Sequence, residues 1–223
     1  MNTKNMKIFS YLRLQRKQIN LNKLDLIFIY ALGGLIGNIY ETILFLIIKG
    51  EYVDSSASVI SPFNVVYAFG LTLFSFCLYK VNNIFIMFLL AAFLGGFFEY
   101  FASIIEEYIF RISSWDYSHL FMNINGRTTI PISLLWGLMG TICVILLPFF
   151  LKLIHKIPYK IYLIIAIILL SYICLDWILS FISLLRYSQR MHGDNLDNNF
   201  YKWIDYLFNN DYMKKKYPNL IFK

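Results

Sequence analysis

The chain has 223 residues, 59% of them hydrophobic and 15% charged, with a net charge of +7. Soluble domains carry about 45–50% apolar and about 25% charged residues, so this composition excludes a soluble enzyme and a disordered chain. Crossing about 30 Å of hydrocarbon takes about 20 apolar residues, and the runs of that kind leave no room for a separate soluble catalytic domain.

Residues 1–25 form a basic segment with Lys4, Lys7, Arg13, Arg16, Lys17 and Lys23. It lacks the short apolar core and small-residue cleavage site of a removable leader, so the first span is expected to remain as an anchor. Five apolar runs follow, at 26–48, 62–79, 84–110, 130–151 and 159–185. They predict an all-α polytopic bundle of about five transmembrane helices over residues 26–185. The remaining residues, 186–223, form an aromatic and basic tail. Phe200, Tyr201, Trp203, Ile204, Tyr206, Leu207 and Phe208 alternate there with Asp and Lys, a density of aromatics suited to a short helix at the membrane interface. A docking helix for a partner subunit is the alternative.

The first and third runs share a pattern. Gly33, Gly37 and Glu41 are spaced by four, as are Ala91, Gly95 and Glu99, 58 residues later. Positions four apart stack on one helix face, and small residues there admit a close neighbour. The second and fourth runs correspond too: Pro62 with Tyr67-Ala68 aligns with Pro131 and Trp136-Gly137, 69 residues later. Two repeated helix pairs plus one further helix are therefore expected, a design common in transporters.

Glu41, Glu99 and Asp176 fall inside apolar runs. A charge at mid-bilayer costs on the order of 2.5–3.5 kcal/mol on insertion scales, so these acids should face protein or water. They are candidates for a polar transport path. The plainer reading is hydrogen bonding between helices, which leads for Asp176 because no matching acid accompanies it. Cys77, Cys143 and Cys174 each sit in a different run and read as small apolar packing residues. His119, His155 and His192 are scattered, so no metal or cofactor is expected. The basic residues meet anionic head groups and set topology, and no nucleic-acid partner is expected. Arg13, Arg16, Lys17, Lys23, Lys80, Lys152, Lys156 and Lys160 on the amino-terminal side outnumber Lys49, Arg111, Arg127, Arg186 and Arg190 near spans on the other. That favours a cytoplasmic amino terminus, which leaves the Lys214-Lys215-Lys216 tail outside unless a sixth crossing or a re-entrant segment intervenes.

Between the third and fourth runs lie Trp115-Asp116-Tyr117-Ser118 and Asn123-Ile124-Asn125-Gly126-Arg127. Gly126 suits a turn at positive φ. Asp116 is placed to cap a turn or to pair with Arg127, and Arg127 to snorkel. This loop, with Trp136-Gly137 after it, resembles the signature of the Putative ABC-transporter type IV permease (CmpB-like) family of small bacterial membrane proteins. The segment 61–70 is more loosely similar, and Gly37-x3-Glu41 fits; the resemblance covers 26–151.

The resemblance implies a permease component in the bacterial cell membrane. No glycine is followed by lysine, so the P-loop GxxxxGK[ST] is missing and ATP-driven transport would need a separate ATP-binding cassette subunit. A homo-oligomer stays open. Two alternatives stand beside transport. One is a non-transporting scaffold or accessory subunit that uses the Gly33, Gly37, Ala91 and Gly95 faces. The other is a membrane-embedded lipid-modifying enzyme using Asp116, His119 and Arg127, although no hydrolase motif accompanies them.

Overall fold

The computed structural model describes residues 16, 18–194 and 198–223. Lys4, Lys7, Arg13 and Lys17 of the topology reading, and Leu196 of the tail, lie outside the described residues. Five helices make the body: α1 (Asp25–Lys49), α2 (Val65–Leu78), α3 (Ile84–Phe110), α4 (Ile130–Ile154) and α5 (Tyr159–His192). Asn64, Asn83 and Thr129 cap α2, α3 and α4 by accepting amide hydrogens of the first turn, which satisfies donors that a helix start leaves unpaired. Gly50 and Gly193 end α1 and α5 at φ 72° and 80°.

The helices form a membrane bundle. α1, α3, α4 and α5 are long and apolar enough to cross a bilayer. Large apolar side chains such as Ile47, Phe93 and Ile168 stand exposed around it, the surface expected against lipid. The run at 62–79 departs from the expected spans. Its helix, α2, has 14 residues, about 21 Å at 1.5 Å per residue. The shortening has a visible cause. The Asn64 amide donates to the Gly34 carbonyl at 3.0 Å, and Gly34 lies about 22 Å down α1 from Lys49. The chain therefore returns along α1 as a loop before α2 begins.

Two helix pairs dominate the packing: α1 with α2, and α3 with α4. α5 touches both pairs, through α1 and α3. One core cluster joins Phe28, Ile29, Leu71, Leu151 and Tyr162; a second joins Phe74, Met87, Ala91, Trp136 and Val144. Arg16 donates to the Val81 carbonyl at the amino-terminal end. The tail lies at the opposite end.

The expected single interfacial helix is two short ones, α6 (Asn199–Leu207) and α7 (Asn210–Lys216), followed by β4 (Ile221–Phe222), which pairs with β1 (Ile112–Ser113). The tail docks on protein: Ile204, Phe208 and Met213 are buried with Val59 and Tyr187. Arg186 and Arg190 both pair with Asp205, and their charges hold its carboxyl below the usual range. Lys216 pairs with Asp54 at 2.8 Å and lowers it likewise. Phe200, Trp203 and Tyr206 stay exposed on the other side of α6.

Candidate functional site

The small-residue faces explain why each pair closes so tightly. A side chain begun at Gly37 would run into the Tyr67 ring, and one begun at Gly95 would run into Trp136, whose Cγ would lie 2.6 Å from the new Cβ. Gly33 meets Leu71, and Ala91 meets Gly140 in the same relation. With offsets of 58 and 69 residues, these two contacts in one pair have their counterparts in the other. The repeat expected from the sequence is thus a repeat of contacts. Its two central aromatics also meet: the Tyr67 and Trp136 rings lie 5.3 Å apart, centroid to centroid.

Glu41 and Glu99 sit one turn beyond Gly37 and Gly95, and each turns toward the aromatic of its own pair. Tyr67 lies beside Glu41, and Trp136 lies beside Glu99. The Asn64 side-chain amide donates to Glu41 at 2.8 Å and to the Ser55 carbonyl at 2.7 Å. Glu99 is 5% exposed; it accepts from the Thr128 hydroxyl at 2.6 Å and the Tyr117 hydroxyl at 3.0 Å. The two acids therefore flank one aromatic pair where α2 meets α4, on the side of the connecting loops.

A loop supplies each acid's partners. In the second half, β2 (Asn123–Ile124) and β3 (Thr128–Thr129) form a hairpin. Its three-residue loop places Asn125 at φ 52° and Gly126 at φ 69°, and the Arg127 amide closes the turn on the Ile124 carbonyl at 3.0 Å. Trp115 donates its indole N–H to the Arg127 carbonyl, and the Tyr117 amide donates to the Gly126 carbonyl, both at 2.8 Å. Asn123 donates to the Ser118 carbonyl and accepts from the Gly126 amide. The WDYS and NINGR segments thus brace one another and aim Tyr117 and Thr128 at Glu99.

Asp116 caps the Ser118 amide at 2.8 Å, which holds its carboxyl below the usual range. The alternative pairing with Arg127 is not made. Arg127 instead reaches Glu107 at 2.6 Å and the Ser103 hydroxyl at 3.0 Å, because the hairpin turns it along α3.

Asp176 lies apart from this centre and ties down the loop of the first half. It accepts from the hydroxyls of Ser58 and Ser61 and from the amides of Ile60 and Ser61. Ser55, Ser56, Ser58 and Ser61 are all buried. Irregular backbone at membrane depth persists only where protein or a water-filled cavity surrounds it, and Asp176 supplies that surrounding. Ser58, Ser61, Asn64, Tyr67 and Thr128 were not singled out from the sequence for their side-chain chemistry. The run of polar residues at 54–64, too polar for a span and too apolar for an exposed turn, was the signal available.

A family model described as "Putative ABC-transporter type IV" matches residues 28–181. The chain belongs to this family. The family match reaches past the stretch 26–151 that carried the resemblance, and it takes in Asp176. It ends before the tail. No curated protein and no solved structure matches the chain.

Proposed function

We propose that this protein is the multi-pass permease component of a transporter in the bacterial cell membrane, with its amino terminus cytoplasmic and a separate ATP-binding cassette subunit as its energy source. Glu41 and Glu99 line its polar path. One observation carries this reading: equivalent carboxylates from two repeated helix pairs converge on the tilted Tyr67–Trp136 ring pair. Acids inside membrane bundles mark substrate, ion or proton pathways, and substrate sites at the interface of internal repeats are a transporter design. The chain itself brings no P-loop, and it is not expected to act as an enzyme.

The scaffold reading has its own support, because both Glu99 oxygens already hold hydroxyl partners. Labelling separates the two. In full-length protein with its three cysteines replaced by alanine, Glu41→Cys and Glu99→Cys are introduced singly and exposed to a membrane-impermeant thiol reagent in proteoliposomes. The transport path predicts that both react, since water must reach them during turnover. Protection of both positions from either side of the membrane supports the scaffold and removes the path.

A further inference from the structure

A second polar centre lies at the amino-terminal end, where neither the repeat nor the loops reach. Asp25, the first residue of α1, is fully buried. It accepts from the Asn22 amide and the Tyr162 hydroxyl at 2.8 Å, and it contacts His155 Nε2 at 2.8 Å. One acid thereby fixes the start of α1, the end of α4 and the first turns of α5 together.

Beside this knot is a cavity of about 530 Å³, lined by Asn22, Lys23, Leu24, His155, Tyr159 and Tyr162, among others. The sole acid of the knot is turned inward, its oxygens engaged by Asn22, His155 and Tyr162. Lys23 and the partly exposed His155 ring line the cavity. Pro158, at the N-cap of α5, sets no side-chain acceptor against the amides of the first turn, and Tyr159 and Tyr162 of that turn line the cavity. Lys156 and Lys160 flank it in sequence and are exposed.

We propose that this cavity binds a phosphate group, carried by an anionic lipid head group or by a soluble phosphate. The Lys23 ammonium, the second ring nitrogen of His155, the Tyr159 hydroxyl and the amides that open α5 are gathered there, while the Tyr162 hydroxyl and His155 Nε2 are committed to Asp25. Phosphate oxygens, which accept several charge-assisted hydrogen bonds at once, match that set. The position at the end of the bundle, where apolar surface gives way to basic residues, is the level of head groups.

The test uses the full-length protein in phosphatidylcholine nanodiscs. Native mass spectrometry counts phosphatidylglycerol retained from mixed lipid, and calorimetry titrates inorganic phosphate. Lys23→Ala is expected to weaken whichever probe binds about tenfold, the loss of one charge-assisted hydrogen bond. His155→Gln is expected to act in the same direction, and Lys214→Ala at the opposite end to change nothing. Selective phosphatidylglycerol retention that is sensitive to Lys23→Ala or His155→Gln assigns a lipid; phosphate binding with that sensitivity assigns a soluble anion. Absence of selective binding by both probes, or binding untouched by either variant, overturns the proposal. Lys23 is exposed, so its replacement leaves folding intact.

Discussion

Asp176→Ala is expected to destabilise the protein by about 3–5 kcal/mol, the largest single-residue loss outside the helix contacts. The change strands the Ser58 hydroxyl and the Ile60 amide, and it leaves the Ser61 hydroxyl and amide to share the Ser58 oxygen as their acceptor. A buried donor left without a partner costs about 1–3 kcal/mol. Some of the loop will shift to recover hydrogen bonds, which brings the sum below a simple addition. Asp176→Asn keeps one carbonyl acceptor and the side-chain volume, and its cost should be less than half as large. Thermal unfolding in detergent measures both, and hydrogen exchange over 55–64 should show the loop opening first in the alanine variant. An Asp176→Ala protein that melts within about 0.5 kcal/mol of the parent would mean that the loop holds itself.

Gly95→Leu is expected to cost at least about 3 kcal/mol, and Gly95→Ala about 1–3 kcal/mol, the range for forcing extra atoms into a packed core. The obstacle is the base of the Trp136 side chain, with Cγ 2.6 Å from the position of a new Cβ. Atoms that close to the backbone cannot swing aside as the far end of a long side chain can, so α3 and α4 would have to separate. Gly37 meets Tyr67 in the same way, so Gly37→Ala should cost a similar amount. That parallel is the useful part of the prediction. A true duplication of contacts gives matched losses in the two halves, whereas a chance resemblance of apolar sequence does not. Phe93→Leu, on the exposed side of α3, serves as the control and should be near neutral.

The helix pairs were legible in the sequence because the small residues and acids recur at helical spacing, and a spacing of four defines a face without knowledge of the partner. The order Gly33, Gly37, Glu41 and Ala91, Gly95, Glu99 therefore carried both the packing and the placement of the acids. The partners of those acids were less legible. Asn64 and Thr128 reach Glu41 and Glu99 only because each connecting loop returns along its long helix, and loop return has no periodicity to read. The 62–79 run looked like a span for a related reason. Its composition is apolar throughout, but helix length is decided at Asn64 by a cap and a backbone hydrogen bond to Gly34. The contact of the buried Asp25 with His155 links residues 130 positions apart, beyond any local pattern.

The tail also shows where composition stops. Its aromatics suit an interfacial helix, and half of that pattern is met by Phe200, Trp203 and Tyr206 on an exposed face. The other half, Ile204 and Phe208, is buried against Val59 and Tyr187. Charge pairs between Asp205 and two arginines, and between Lys216 and Asp54, fix the register of that docking. They also account for part of the basic tail that sat awkwardly on the side opposite the amino terminus.

The convergence of Glu41 and Glu99 on one aromatic pair is tested most directly by a double-mutant cycle. Glu41→Gln, Glu99→Gln and the combination are compared by thermal unfolding of the full-length protein. Residues that share a packed network couple by about 0.5–3 kcal/mol, and a coupling in that range is the predicted result. Strict additivity, within about 0.3 kcal/mol, would place the two carboxylates in separate environments and contradict a common centre.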